Sequence, residues 1–384
     1  MVSTRFTVTP EPMNVLLTNA TDIFAGGEDY VLLLARYLAK RGHAVSVSAR
    51  PGHLLLRKCE QLSIPTVPLA YGDMGRVFAV AGTLRRALKA RGITIIHSNA
   101  NYDRTCAALA AAFAPVRHIA GIHSTHSIQH NITHYLRNRL GTDHFITDAG
   151  AGRDVLIRED GIPPSRITTI PIGVENDPAD VREAYREKTR AALGIPRGTV
   201  VVGNVARLVP FKGHRYLLDA VAQLVRTSPS PPILLLIVGD GELEEDLRAQ
   251  VAALRIGPFV RFLGFRDDLH ELYPAFDVYC HSSVELAAEM FPIAILRALA
   301  SALPVVCTDV GGIAAMVEEG VSGHLIPPEN PHELARRLLD VVGDASVRRS
   351  MGAASFTLFE RSYHVGTMAE RVEAVYLNSL SQHR

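Results

Sequence analysis

Residues Ser282 to Gly312 read SSVELAAEMFPIAILRALASALPVVCTDVGG, and this stretch decides the fold class: it runs from an acidic, turn-rich loop through a helix into a buried strand. Pro292 suits a helix start, where its missing N–H would have no partner anyway, and Ile293, Leu296 and Leu299 then recur at helical spacing. Pro304 to Thr308 has the apolar character of a parallel strand covered on both faces, and Gly311-Gly312 at its end lets a ligand approach the backbone. Such a βα unit aims a helix N-terminus at whatever Glu289 faces. Free N–H groups and the helix dipole favour an anion there, while Glu289 can accept hydrogen bonds from sugar hydroxyls. Taken alone, the stretch fits both a phosphate-and-sugar site and an ordinary capped helix of an α/β domain.

The same alternation runs through the rest of the chain. Val15 to Thr18, Ala44 to Ser48, Thr66 to Leu69, Ile93 to Ser98, His118 to Ile122, Phe145 to Thr147 and Ile167 to Ile170 read as strands of a first sheet. Val200 to Ala206, Ile233 to Val238, Val260 to Leu263, Val278 to His281, Val305 to Thr308 and His324 to Ile326 read as those of a second. Amphipathic stretches between them, such as Asp29 to Lys40, Val77 to Ala90 and His332 to Val342, predict covering helices, so the fold class is α/β with two doubly wound domains facing across a cleft. Pro171 to Arg197 is charged, holds three prolines and has weak apolar periodicity, which places a linker at its start. The expected division is 1–172, 173–365 and a last helix within 366–384, amphipathic through Val372, Val375, Tyr376 and Leu380.

The 384 residues, 47% hydrophobic and 21% charged, suffice for two full cores, and a net charge of +1 gives no general attraction to nucleic acid. Cys59, Cys106, Cys280 and Cys307 are far apart and form no CxxC pair, so buried thiols and a reducing, cytoplasmic setting are expected. No signal peptide is expected before Met13, and no apolar run approaches the ~20 residues of a membrane span. The basic run Arg76, Arg85, Arg86, Lys89 and Arg91 reads either as a solvated helix face or as a peripheral contact with anionic lipid at the cytoplasmic membrane face.

Open sheets of this class bind ligands at the carboxyl ends of their strands, and the chemically capable residues fall there. Arg207 and Lys212, with Gly213 opening the next helix, can neutralise a diphosphate leaving group, although a solvated surface pair has the same spacing. Gly26-Gly27 lacks the spacing of a dinucleotide fingerprint and lets the backbone approach a phosphate or an acceptor; Gly239-Asp240-Gly241 reads equally well as a plain turn. His97 and Asn99 end one strand, and His123 ends another, where a neutral imidazole can orient a sugar hydroxyl; His126 follows. His126, His130 and His134 would line one face of a helix, but no nearby carboxylate or cysteine completes a metal set, and no metal is expected.

Taken together, GGED (26–29), IIHSN (95–99), GIHS (121–124), ARLVPFKG (206–213), IVGDGELEEDL (237–247), VRFLGF (260–265), EMFPIAILRALASALPVV (289–306) and TDVGGI (308–313) resemble the family 4 glycosyltransferases of the GT-B fold over nearly the whole chain. The resemblance implies a retaining, metal-independent transfer from a UDP- or GDP-linked sugar, without a cofactor, to a glycan or lipid-linked acceptor of cell-envelope polysaccharide or lipopolysaccharide synthesis. It implies an acceptor side in the first domain (His97, Asn99, His126) and a nucleotide-sugar side in the second, with the last helix crossing back to the first. It assigns the diphosphate to Arg207 and Lys212 together with Gly26 and Gly27, the transferred sugar to His123 and Glu289, and the nucleotide and ribose to the region of Gly239, Gly264, Phe265 and Arg297.

Four positions depart from the family pattern. Arg297 stands where relatives carry a ribose-binding glutamate, and a guanidinium cannot accept hydroxyl hydrogen bonds. Ile172 replaces an asparagine, Ala302 a glycine, and Ala315 a glutamate, while Glu285 is close enough in sequence to stand in for the missing carboxylate. A non-catalytic GT-B protein that binds sugar nucleotides or glycans, its donor site altered by Arg297, is the alternative reading.

Overall fold

Twelve apolar runs become two all-parallel sheets in the computed structural model, which describes residues 11–21, 26–72, 74–112, 114–124, 126–128, 131–227, 231–284, 289 and 291–382. The first sheet holds β1 (Asn14–Thr18), β2 (Ala44–Ser48), β3 (Ile95–Ser98), β4 (Arg117–Ile122), β5 (His144–Thr147) and β6 (Ile167–Thr169). The second holds β7 (Val200–Val205), β8 (Ile233–Val238), β9 (Val260–Phe262), β10 (Val278–His281), β11 (Val305–Thr308) and β12 (Gly323–Ile326). Parallel neighbours need crossovers, which the intervening helices supply. The sequence ILLLIV of β8 is buried at every position, as a strand covered on both faces must be.

The chain divides into two compact units: Met1–Asp148 with Gly152–Ile170 and Met368–Arg384, and Ala149–Ala151 with Pro171–Thr367. In the first unit the strand order is β2-β1-β3-β4-β5-β6, so the direction of winding switches between β1 and β3. In the second the order β12-β11-β10-β7-β8-β9 is that of a dinucleotide-type doubly wound sheet, with the switch between β7 and β10. At a switch point the connections leave to opposite sides, which opens a crevice at the carboxyl ends of those strands. These crevices are bordered by the residues after Thr18 and Ser98 in one unit, and after Val205 and His281 in the other.

One expected strand is corrected, and one helix appears that the sequence pattern did not announce. Thr66–Leu69 is not a strand: Pro65 and Pro68 lack N–H donors, and the segment meets the β2 edge only through Pro65 O, which accepts from Val47 N, and through Val67 N and Leu69 N, which donate to Val47 O and Ala49 O. The charged stretch after Pro171 contains a helix, Ala179–Ala192. Its apolar pattern is weak because cations hold it: Arg186 and Arg190 reach the Asp277 carboxylate at 2.5 and 3.0 Å, and the same carboxylate accepts from Val201 N at 2.7 Å. The last helix, Val365–Ser381, belongs to the first unit from Met368 onward; there Glu373 accepts from His43 Nε2 at 2.6 Å and Arg41 Nε at 2.9 Å.

Candidate functional site

In the second unit, chemistry converges on Glu289. Its side chain is 4% exposed, and three donors meet one oxygen, Oε1: Lys212 Nζ in a short ion pair, Ser283 Oγ at 2.5 Å and His281 Nε2 at 3.3 Å. Burial opposes the charge, but the His281 hydrogen bond and the Lys212 ammonium outweigh it, and the Glu289 pKa falls to about 2. Burial lowers the His281 pKa, so this imidazole is neutral; it donates through Nε2 and lies with Nδ1 3.3 Å from Tyr279 Oη. Among the described residues no hydrogen bond reaches Oε2 of Glu289. One oxygen is thus anchored by three donors.

Backbone packing sets this arrangement. Gly213 has φ of +64°, and a Cβ there would lie 2.0 Å from Ser282 O, so only glycine lets the Lys212 turn press against the loop after β10. Val284 N then bonds to Phe211 O at 2.8 Å, Ser282 Oγ to Lys212 O at 3.0 Å, and Gly312 N to Glu289 O at 2.9 Å. Arg207 follows β7 on the same connection, is exposed, and stands 5.9 Å from the Phe211 ring. Gly239 N donates to Gly264 O at 2.8 Å, tying together the turns after β8 and β9, and Phe265 beside it is 73% exposed.

Arg297 lines a small cavity with Glu175, Asp177, Arg182, His270 and Tyr273. Glu285 lies outside the described residues. Ala302, in place of the family glycine, has φ of +56°, the conformation that glycine serves.

In the first unit, His97, Asn99 and His123 do meet. A Cβ on Gly121 would lie 2.7 Å from Asn99 Oδ1 and 3.0 Å from Nε2 of both His123 and His97, so a bare glycine leaves room for three polar atoms. Asn99 donates through Nδ2 to Thr18 O at 3.1 Å and His97 O at 3.2 Å, which turns Oδ1 toward His123 Nε2 at 3.2 Å. An acceptor facing Nε2 requires a proton there, and the Asp148 carboxylate, 2.8 Å from Nδ1, requires one on that side also. Burial disfavours this imidazolium, but the Asp148 charge and hydrogen bond outweigh it, and the His123 pKa rises. Acceptors at both ring nitrogens and the raised pKa thus favour the protonated form over the expected neutral imidazole. Asp148, with a side chain 3% exposed, was legible only as a residue following a strand.

His97 is neutral: burial, followed by the nearby His123, pushes its pKa down to about 3. Its Nδ1 lies 2.6 Å from Tyr376 Oη on the last helix, while its buried Nε2 has no hydrogen-bond partner among the described residues. Gly26 and Gly27 open the helix Gly26–Lys40, whose first turn carries Glu28 and Asp29 and so already answers part of the dipole. His126 is exposed. The helical histidine stripe does not form, since the helix Ile132–Leu140 starts after His126, and His130 lies outside the described residues. Among the described residues no group of three or more His, Cys, Asp or Glu side chains is placed to hold a metal ion.

Two parallel, doubly wound units with polar residues gathered at the carboxyl ends of their strands define a GT-B architecture. Residues 24–177 match the family model of glycosyltransferase family 4, and residues 185–357 that of glycosyl transferases group 1. The chain belongs to the family 4 glycosyltransferases. It is 38% identical over 176 residues to the D-inositol 3-phosphate glycosyltransferase of Corynebacterium urealyticum, covering 44% of this chain and 41% of that one. With the Stackebrandtia nassauensis enzyme of the same name it shares 29% identity over 368 residues, 86% of this chain and 82% of that one. Against these first two relatives the chain thus spans under half of one and most of the other. Anabaena HepE, solved in complex with UDP, superposes with a TM-score of 0.80 at 22% identity, covering 95% of this chain and 100% of that one.

Proposed function

We propose that the protein is a retaining glycosyltransferase that moves a sugar from a nucleoside diphosphate donor, UDP- or GDP-linked, to a glycan or lipid-linked acceptor of cell-envelope polysaccharide or lipopolysaccharide synthesis. The observation that carries the reading is the buried Glu289 carboxylate, ionised and fixed at one oxygen by Lys212, Ser283 and His281 at the switch point of the second unit. Its other oxygen holds a hydroxyl of the transferred sugar. Arg207 and Lys212 neutralise the departing diphosphate, so leaving-group stabilisation supplies the main catalytic effect. UDP bound to HepE supports a uridine donor, and the exposed Phe265 offers a face on which the base can stack.

In the first unit, Asp148 and Asn99 hold His123 as a fixed cation on the acceptor side, suited to stabilising negative charge and unsuited to removing a proton. Asp148 is buried against His123, which leaves it poorly placed as a nucleophile, and front-face attack assisted by the leaving phosphate needs no covalent intermediate. Arg297 belongs with the linker cavity, and ribose recognition falls to other groups.

The test is incubation with a panel of nucleotide sugars, reading release of nucleoside diphosphate and the anomeric configuration of the product. Release with an acceptor and retained configuration support the proposal. An inverted product or a trapped glycosyl-enzyme adduct overturns the mechanism. Donor binding with no transfer to any glycan or lipid-linked acceptor favours the non-catalytic reading.

A further inference from the structure

Four guanidiniums line one groove of the second unit: Arg182 and Arg186 from the helix Ala179–Ala192, and Arg348 and Arg349 from the helix Ala345–Ser362. The groove has a volume of about 490 Å3, and its apolar lining includes Pro274, Leu303 and Pro304. It lies at the amino ends of β10 and β11, where Asp277 and Pro304 precede the strands, and so at the opposite end of the sheet from Lys212 and Glu289. Of the four cations Arg186 has a carboxylate, Asp277, which it shares with Arg190. Arg182 is held instead by the carbonyls of Asp177 at 2.9 Å and Ala300 at 3.4 Å, 4.6 Å from the Phe356 ring. Burial, only partly answered by the more distant Asp177 and Glu360 charges, lowers its pKa. Arg348 donates to Val341 O at 3.2 Å and to Val342 O, in the last turn of the helix Pro331–Gly343. Arg349 is exposed, and no hydrogen bond or ion pair holds it among the described residues. Carbonyl oxygens fix the direction of a guanidinium without cancelling its charge. With Asp277 already engaged, Glu183 is the one remaining carboxylate of the groove against three unmatched cations.

We propose that this groove is a second anion site, separate from the donor crevice, and that it binds a small molecule carrying a chain of three phosphates. Planar guanidinium forks match phosphate oxygens in pairs, and a hollow lined by one sign of charge concentrates the opposite sign. Because Arg182 and Arg348 are already oriented by carbonyls, binding spends little on ordering them. The volume suits a small ligand, and the cations converge from two helices on one hollow, whereas the carboxylates of an acidic protein segment would be strung along an extended chain. Arg182 and Arg186 also fix the helix Ala179–Ala192, but Arg349 holds nothing in the fold, which leaves its charge for a ligand. The inference rests on the second unit alone and holds whether or not the chain transfers a sugar.

The test is calorimetric titration of inorganic triphosphate and of ATP into the full chain, Arg349→Glu, Arg348→Gln and Arg207→Ala, with circular dichroism to establish that each variant is folded. Wild type should bind triphosphate, more weakly as salt rises. Arg349→Glu should lower that affinity by at least about tenfold, as loss of a charge-assisted contact does, and Arg348→Gln, which keeps an N–H donor for the helix carbonyls, should lower it too. Arg207→Ala, altered on the donor side, should leave it unchanged. Equal binding of ATP and triphosphate assigns the groove to the phosphate chain, and tighter binding of ATP assigns its apolar lining to the base; both support the proposal. No binding of triphosphate to wild type, unchanged affinity in Arg349→Glu, or a loss in Arg207→Ala as large as in Arg349→Glu would overturn it. So would a polyglutamate peptide that binds more tightly than triphosphate. None of these readings involves sugar transfer, so a failure here is distinguishable from a failure of the proposed reaction.

Discussion

His123 shows how much of a residue's chemistry its neighbours decide. Its place after β4 is legible in the sequence, but its charge is not, because that depends on Asp148 from β5 and on the direction in which two backbone carbonyls turn Asn99. Its raised pKa makes a prediction with a definite sign. The His123–Asp148 pair contributes stability that is fully present below the unfolded histidine pKa of about 6.5 and is lost as pH rises through the higher folded value. In Asp148→Asn that contribution disappears, so the melting temperature measured from about pH 5 to about pH 9 should decline less with rising pH than in wild type. Equal slopes would take Asp148 out of the account. Arg297 was expected in the nucleotide and ribose region, and it lines a cavity with Glu175 and Asp177, which helix spacing alone does not reveal. Arg297→Glu would add a carboxylate to a cavity that already holds Glu175 and Asp177, so it should destabilise the protein by about 1–3 kcal/mol in urea titration and leave nucleoside diphosphate affinity unchanged. A changed affinity at unchanged stability would restore it to the donor site.

Elements were legible where burial is uniform and illegible where polar contacts replace it. The runs of β8, β10 and β11 stand at their expected residues because a strand buried on both faces writes itself as continuous apolar sequence. The helix Ala179–Ala192 was hidden because its fixings are cations on Asp277. Asp277→Ala removes the carboxylate that both arginines share and leaves the Val201 N–H without its acceptor, so the unfolding free energy should fall by about 1–3 kcal/mol; an unchanged urea midpoint would mean that other contacts hold this helix. After the helix Ile293–Ala300, Ala302 sits at φ of +56°, which costs an L residue roughly 1–2 kcal/mol. Glycine gives back about 0.5–1 kcal/mol through its freer unfolded chain, so Ala302→Gly should still stabilise by up to about 1 kcal/mol. A lowered melting temperature would show that the strain is already relaxed.

For the whole molecule, two doubly wound sheets followed from alternating patterns alone, whereas the strand orders that define the two switch points emerged only with the pairing of strands distant in sequence. Those orders explain why Arg207, Lys212, His281 and Glu289, spread over more than eighty residues, share one end of the second sheet. Ser283 lies within the quoted stretch and His281 ends the strand just before it, yet their hydrogen bonds to Glu289 are not encoded in composition. The central claim is that a donor diphosphate binds where Lys212 and Arg207 meet this end, and it is tested most directly by calorimetric titration of UDP and GDP into wild type, Lys212→Ala and Arg207→Ala. At least one of the two nucleotides should bind wild type. Each folded variant should lose about 1.5–3 kcal/mol, roughly ten- to hundredfold in affinity, as expected for a charge-assisted contact. Unchanged affinity in both variants, or no binding of either nucleotide to wild type, would contradict it.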